Sequence, residues 1–249
     1  MSAVLRDLHN GGCAAWQLPF DPRSAALARS YFTAVATALA LPRSLIDDGA
    51  VAVSELATNA YQHAGGIDSY EPVIPPELWI YSRSHPQPQL VVTVFDARRD
   101  RPPQLRPVDP LDGHGRGLGI VCALSADAGS HPSRSRVGAW TVAGKAVWFA
   151  LALPRPWPAA QHAVTPTQAA EQLHTLLAAR GLDGLIRADQ PGVSLVSVRT
   201  GLTVWAEPQG FRLRDINGTC TRRPLTDLED VAELVIHHHE RDGLTRDQH

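Results

Sequence analysis

Three polar side chains recur every four residues in the segment SELATNAYQHAG, which spans Ser54–Gly65: Glu55, Asn59 and His63. Beside them runs an apolar stripe at helical spacing: Leu56, Ala57, Ala60 and Ala64. Side chains four apart on a helix face the same side, so Glu55 and Asn59 share one environment. A glutamate next to a hydroxyl can act as a general base, and an amide oxygen suits Mg²⁺. The alternative interpretation of the stripe is a solvated helix edge.

A glycine cluster follows later in the chain, in the segment GHGRGLGIV that begins at Gly113. Four glycines within seven residues carry an entropic cost in any regular element. In return, the backbone can approach a ligand closely, and the helix that follows has an N-terminus that favours anions. The pattern is neither the Walker loop nor the dinucleotide fingerprint. Phosphate binding and a flexible surface loop are both open interpretations.

A third candidate is Asp96, which ends the apolar run Leu90–Phe95. A carboxylate at the end of a strand could accept hydrogen bonds from a ligand amine in a half-apolar pocket. Aspartate at this position also commonly begins a turn, and that is the alternative.

The elements that must position these residues follow from hydrophobic periodicity and from glycine and proline signals. The first half predicts a strand over residues 14–20 and a helix that begins at Asp21-Pro22 and ends near residue 41. It continues with a helix over 44–64, a hairpin of strands 78–83 and 90–95, a helix over 118–126, and strands over 137–143 and 146–153. Strands and helices in this order predict an α+β fold.

A proline-rich segment over residues 154–167 predicts a linker between two units, a first domain over 12–153 and a small α+β domain over 168–243. In the second domain we expect a helix over 168–180, strands near 195–198, 202–207 and 211–215, and a last helix. Thr226 and Glu229 have the spacing of a capping box at the start of that helix.

Composition excludes several classes of function. The chain has 249 residues and a formal net charge of −2, which gives no electrostatic reason to expect nucleic acid or an anionic membrane as a partner. Its three cysteines form no metal or disulfide pattern. The first residues lack the long apolar run that is typical of a signal peptide, and no segment approaches the roughly 20 apolar residues of a membrane span. We therefore expect a cytoplasmic protein. The run His237-His238-His239 does not predict a metal site, because consecutive helical residues point about 100° apart.

The order of the three candidate sites is informative. A helix with E-x-x-x-N, a strand ending in aspartate, a glycine-rich loop and a closing hairpin together resemble the ATP-binding fold of the GHKL superfamily, which includes gyrase, histidine kinases and mismatch-repair ATPases. The motifs SELATNAYQHA (54–64), VFD (94–96), RGLGIVCAL (116–124) and GKAVWFAL (144–151) are most similar to the anti-sigma-factor-like serine kinases of actinobacteria. The resemblance covers roughly residues 14–153.

The resemblance implies a two-layer Bergerat-type sandwich, with a mixed sheet and helices on one face, that binds ATP and Mg²⁺. It implies that Asn59 coordinates Mg²⁺, that Glu55 is the catalytic base and that Asp96 binds the adenine amino group. The loop and helix start would wrap the phosphates through Gly115, Arg116, Gly117, Leu118 and Gly119. His63 lies where the family often has histidine near the phosphates.

Two departures from the family pattern stand out. The sequence after Asp96 reads Ala-Arg-Arg where many relatives have D-x-G, and Ala146 replaces a threonine that in relatives helps to hold the adenine. Three hypotheses follow. The first is a serine/threonine kinase that phosphorylates or sequesters a partner protein, such as a sigma factor or its antagonist. The second is a non-catalytic, nucleotide-gated binding module. The third places the function in the second domain, as a dimerisation or partner-binding module, and a homodimer is an open expectation.

Overall fold

The computed structural model describes Leu8 and residues 11–64, 74–99, 116–138, 140–154, 164–215 and 218–246. For residues 63, 64, 116 and 242–246 it describes the backbone alone. The described residues form two five-stranded sheets, one in each half of the chain.

The first sheet has the strand order β1-β2-β3-β5-β4, and every neighbouring pair is antiparallel. Its strands are β1 Cys13–Gln17, β2 Glu77–Arg83, β3 Gln89–Asp96, β4 Asp127–Arg134 and β5 Ala143–Ala152. The predicted α+β class and the layering of helices on a sheet are confirmed. The expectation of a mixed sheet is wrong, because β5 returns through a hairpin from the edge strand β4 and lies antiparallel to β3.

Three helices cover one face of this sheet: α1 Arg23–Ala38, α2 Arg43–Ala64 and α3 Arg116–Leu124. Their apolar stripes form the main core with the strand residues that point the same way, and Phe32, Leu56, Val92 and Phe149 are almost fully buried there. Helix α2 matches its predicted bounds closely, because its apolar spacing is regular over six turns.

All eight residues of β3 are buried, so the second face of the sheet is covered as well. On that face Trp79, Phe95 and Ala146 form a small cluster. The cover is the last helix of the chain, α5 Leu228–Arg246, which contacts β2 and β4. The continuous apolar run in β3 follows from burial on both faces, since only a half-exposed strand needs alternation.

The strand predicted over 137–143 is wrong. The edge strand is β4, ten residues earlier, and its sequence DAGSHPSR carries no apolar alternation. An edge strand gains its stability from backbone pairing with one neighbour, and it tolerates proline and polar residues that a central strand does not. Residues 135–138 and 140–142 form no strand, and Trp140 among them is 73% exposed.

The second unit consists of a helix, a five-stranded antiparallel meander and α5. Its elements are α4 Pro166–Ala179, β6 Ile186–Gln190, β7 Val193–Arg199, β8 Leu202–Glu207, β9 Gly210–Arg214 and β10 Cys220–Arg223. The predicted helix and three strands are confirmed. Strands β6 and β10 went unpredicted, because β6 is exposed along its whole length and neither strand has a hydrophobic pattern.

Helix capping differs at the two ends of this unit. Thr165 caps α4 with a capping box, in which its side chain accepts a hydrogen bond from the Gln168 amide and Gln168 accepts one from the Thr165 amide. The capping box predicted for Thr226 and Glu229 is wrong. Glu229 points instead at the loop that follows β4, where its Oε2 lies 2.5 Å from Nη2 of Arg136.

Helix α5 joins the two units through two stripes. Its apolar residues pack into the core of the second unit: Val231, Ala232, Val235 and Ile236. Its acidic residues face arginines of the first sheet or its loops: Glu229, Asp230, Glu233 and Glu240. Asp227, just before the helix, accepts hydrogen bonds from the backbone amides of Ser84 and His85 in the β2–β3 hairpin.

Candidate functional site

The polar stripe of α2 lies at the rim of the core. Leu56, Ala57 and Ala60 are buried against the sheet, whereas Glu55 and Asn59 are half-buried beside them. The predicted arrangement of the two stripes is therefore present. Neither side chain is a fully solvated helix edge, because the start of α3 packs over both.

Gly117, the second residue of α3, is the point of contact. A Cβ atom built at this position would lie 2.6 Å from Oε2 of Glu55 and 3.5 Å from Nδ2 of Asn59. The first distance is shorter than a carbon–oxygen contact allows, so only glycine leaves the Glu55 carboxylate where it is. The glycine cluster and the α2 stripe, which are about sixty positions apart in the sequence, thus meet in one place.

Asp96 lies at the end of β3 on the same face of the sheet as α1, α2 and α3. It follows Phe95, which faces α5, and it alternates with Val94, which belongs to the helix-side core. The whole residue is 3% exposed. Oδ2 accepts a hydrogen bond from Nζ of Lys145 at 2.7 Å, and Oδ1 accepts one from the Arg98 amide at 2.8 Å.

Lys145 is a site residue that the sequence analysis did not select. It is the only lysine in the chain, and it pairs directly with Asp96 across β3 and β5. Its ammonium also donates to the carbonyl oxygen of Arg98. Two residues that oppose each other on adjacent strands share a face, so a pairing of Asp96 with Lys145 would have indicated the contact. The sequence alone does not give the register of the two strands on which this pairing depends.

Ala146 has a different position from the one that the family comparison implied. It pairs with Phe95, is fully buried and faces the α5 side of the sheet. In this register a threonine at 146 would point away from Asp96. Residue 146 is therefore not a neighbour of Asp96 on the face of the sheet that carries the candidate site.

The remaining predicted residues divide into two groups. Leu118 is partly buried against the main core, so it can act on a ligand only through its backbone, and Gly119 follows it in α3. Gly115 and the side chains of His63 and Arg116 lie outside the described residues. Their predicted roles stay predictions.

The amide oxygen of Asn59 is a donor of the type that Mg²⁺ accepts, and the Glu55 carboxylate lies one helical turn away. A single protein donor fits an ion that takes its other ligands from water and phosphate. The described part of the chain contains no group of three His, Cys, Asp or Glu side chains arranged for a metal. The histidines at 237–239 lie on α5, and the ring of His237 contacts the ring of His131 in β4. The expectation that they hold no metal stays a prediction.

Comparison with known proteins identifies the first half of the chain. The model of the histidine kinase-like ATPase domain matches residues 18–145, which is just over half of the chain. The protein belongs to the histidine kinase-like ATPase family. The match begins at the end of β1 and ends at Lys145, so this ATPase domain contains Glu55, Asn59, Asp96 and the start of α3. The predicted superfamily is confirmed.

Among solved structures, the chain is similar to a crystal structure of the RsbU and RsbW domains of Rv1364c from Mycobacterium tuberculosis. The two share 19% sequence identity with a TM-score of 0.38, over 58% of this chain and 33% of that one. No curated protein matches the chain. None of the helices in the described ranges is long and apolar enough to cross a membrane. The expected location, the expected absence of nucleic-acid binding and the homodimer stay predictions.

Proposed function

We propose that the ATPase domain binds ATP with Mg²⁺ between α2, the start of α3 and the end of β3, where Asp96 lies. The observation that carries this proposal is the approach of Gly117 to Glu55 and Asn59. It brings the Glu55 carboxylate, which we propose as the general base, and the Asn59 amide, which we propose as the metal ligand, next to the start of a helix. Membership of the ATPase family supports the same conclusion.

Each residue has a role in this proposal. Asn59 holds Mg²⁺ through its amide oxygen, and the bound ion neutralises charge that develops on the γ-phosphate. The free amides at the start of α3 donate to phosphate oxygens, where the helix dipole adds to the attraction. Asp96 accepts a hydrogen bond from the adenine amino group. Its carboxylate already binds Lys145 and the Arg98 amide, and an oxygen with two lone pairs can accept a further donor.

The activity that we propose is transfer of the γ-phosphoryl group to a serine or threonine of a partner protein. Glu55 takes the proton of the hydroxyl group as its oxygen bonds to the γ-phosphorus. The bond from that phosphorus to the oxygen bridging the β- and γ-phosphates breaks, and ADP leaves. The partner is a protein of the sigma-factor or antagonist class, and the motifs that resemble anti-sigma-factor kinases support this choice.

A nucleotide-gated binding module without catalysis is the second candidate. The observation in its favour is that the Asp96 carboxylate, where the base is proposed to bind, is hydrogen-bonded to Lys145 and to the Arg98 amide, so that binding there would act directly on the stretch after β3. The stretch after Asp96 also lacks the glycine of the family pattern, which makes it stiffer. In this candidate, nucleotide binding changes the conformation of the surface that a partner protein binds, and no phosphate is transferred.

Transfer of labelled phosphate tests the catalytic proposal. Partners recovered by pull-down and mass spectrometry would be incubated with γ-labelled ATP and the full chain. Glu55→Gln should slow transfer by about 10²–10⁴-fold, the range for loss of a general base. Glu171→Gln is the matched control, since Glu171 is 64% exposed on α4 and remote from the site.

The outcomes separate the candidates. Transfer that survives both Glu55→Gln and Asn59→Ala would refute the proposed chemistry. Binding of Mg-ATP without transfer to any recovered partner would favour the gated module.

A further inference from the structure

The residues that follow Asp96, at the end of β3, form hydrogen bonds and ion pairs on both faces of the sheet. On the helix side, Lys145 donates to both the Asp96 carboxylate and the Arg98 carbonyl, and the Arg98 amide returns a bond to Asp96. These three bonds close a tight loop over Asp96, Ala97 and Arg98. The orientation of the Asp96 carboxylate therefore depends on the conformation of this loop.

On the other side, Arg99 reaches out of the ATPase domain to the second unit. Its Nε donates to the carbonyl oxygen of Gly144 at 3.3 Å, and its Nη2 forms an ion pair with Glu240 of α5. The Glu240 side chain is 9% exposed, and it also faces Nη1 of Arg134, at the end of β4, at 3.5 Å. Glu240 thus contacts the residue that follows the Asp96 loop and the strand next to β5.

Glu240 is also what allows the two arginines to lie close together. Burial lowers the pKa of Arg99, and the nearby charge of Arg134 lowers it further. Both effects oppose a charged Arg99 at this position. Without the carboxylate of Glu240, two half-buried guanidinium groups would repel each other, and Arg99 would leave the Gly144 carbonyl for solvent.

We infer that Glu240 is a positioning residue for the base-binding end of the nucleotide site, acting through Arg99 on the loop that orients Asp96 and Lys145. The inference rests on the proposed nucleotide binding at Asp96. It makes the second unit part of the site, so that nucleotide affinity depends on the docking of α5. Because such coupling is reciprocal, bound nucleotide strengthens that docking by the same factor.

The test uses the full chain and two substitutions of equal size. Glu240→Gln removes the charge and keeps the shape. Glu207→Gln is the matched control, because Glu207 also pairs with an arginine, Arg212 at 2.9 Å, but within the second unit alone. Affinities for Mg-ATP and Mg-ITP would be measured by calorimetry. In ITP a carbonyl group replaces the amino group that Asp96 is proposed to accept from.

A loss of base positioning has a specific signature. We expect Glu240→Gln to weaken Mg-ATP binding about five- to tenfold and to leave Mg-ITP binding little changed, so that the preference for ATP shrinks. Hydrogen exchange at the amides of residues 97–99 should accelerate in the ligand-free protein. Glu207→Gln should change neither. General destabilisation would not move the ratio of the two affinities, which makes the ratio the deciding readout.

A double-mutant cycle with Arg99→Met completes the test. Because Glu240 acts through Arg99, the double variant should lose no more ATP preference than either single variant. If the wild-type protein binds Mg-ATP and Glu240→Gln keeps both the affinity ratio and the exchange rates of the wild type, the inference is overturned. If the wild-type protein binds no Mg-ATP, the proposed function fails, and this inference fails with it.

Discussion

Replacing Glu233 should destabilise the whole protein, because its carboxylate is the centre of the contact between the two units. It accepts from Nη1 of Arg180 at 2.7 Å, from the hydroxyl of Ser133 at 2.8 Å and from Nη2 of Arg136 at 3.1 Å, and it lies 3.2 Å from Nε2 of His131. Glu233 and Arg180 are both almost fully buried. Removing one member of such a pair leaves an uncompensated charge in a low-dielectric interior.

The expected loss of stability depends on the partners that Arg136 and Arg180 retain when the Glu233 carboxylate is removed. In Glu233→Ala, Arg136 retains its ion pair with Glu229, and Arg180 retains hydrogen bonds to Ser133 and to the Arg134 carbonyl. Two partly satisfied cations remain, so we expect the usual loss for breaking a buried pair, about 3–5 kcal/mol. For a chain of this size, 1 kcal/mol corresponds to about 2–4 °C, and the melting temperature should fall by about 6–20 °C.

Thermal and urea unfolding followed by circular dichroism would measure the change. Glu171→Ala is the control, because it replaces a glutamate by alanine at an exposed helix position that pairs with Arg187 at 3.8 Å. An exposed ion pair contributes about 0–1 kcal/mol to the free energy of unfolding. A melting temperature for Glu233→Ala within 2 °C of this control, on the scale just given, would refute the buried network as the link between the two units.

Three further predictions concern acid stability, thiol reactivity and packing. Burial raises the pKa of Glu233, but the charges of Arg180 and Arg136 and the bond to His131 outweigh it and hold that pKa well below the usual value. The ion pair therefore stabilises the protein above about pH 4.3 and is lost progressively below it, so the gap in melting temperature between wild type and Glu233→Ala should narrow from pH 6 to pH 3. Chiefly through burial, the pKa of Cys13 rises to about 12, so at pH 8 iodoacetamide should label the exposed Cys122 and Cys220 and spare Cys13 until unfolding, as peptide mass spectrometry would show. Gly49→Ala should destabilise by about 1–3 kcal/mol in urea unfolding, because the new Cβ would lie 2.2 Å from Cζ of the buried Phe32.

Each of these has a contradicting outcome. A constant gap between wild type and Glu233→Ala over the pH range would show that Glu233 does not carry the acid sensitivity. Labelling of Cys13 at the rate of the other two thiols would show that the face of the sheet under α5 is open. Equal or greater stability of Gly49→Ala would mean that helix propensity, worth about 1 kcal/mol for this change, outweighs the clash.

The local parts of the site were predictable from the sequence. The stripe of Glu55 and Asn59 follows from helix periodicity, and the position of Asp96 follows from the end of an apolar run. The meeting of Gly117 with Glu55 was predictable only through the resemblance to a known family. Spacing alone does not indicate which helix packs against which.

The parts that were missed depend on contacts between distant residues. Glu229, Glu233 and Glu240 look in the sequence like the solvated side of a helix, yet the structure buries them against arginines that are 53 to 141 positions away. Strand β4 was missed because an edge strand needs little apolar burial. Lys145 was missed because its role depends on the register between β3 and β5.

Calorimetric titration of Mg-ATP into wild type and Asn59→Ala tests the central claim most directly. Gln62→Ala is the control, since Gln62 is an exposed amide on the same helix. The account predicts measurable binding by wild type and by Gln62→Ala, and a loss of at least about tenfold in Asn59→Ala, from the roughly 1.5–3 kcal/mol of a contact to a charged group. No heat of binding in the wild type, or equal affinity in Asn59→Ala, would contradict the proposed nucleotide site.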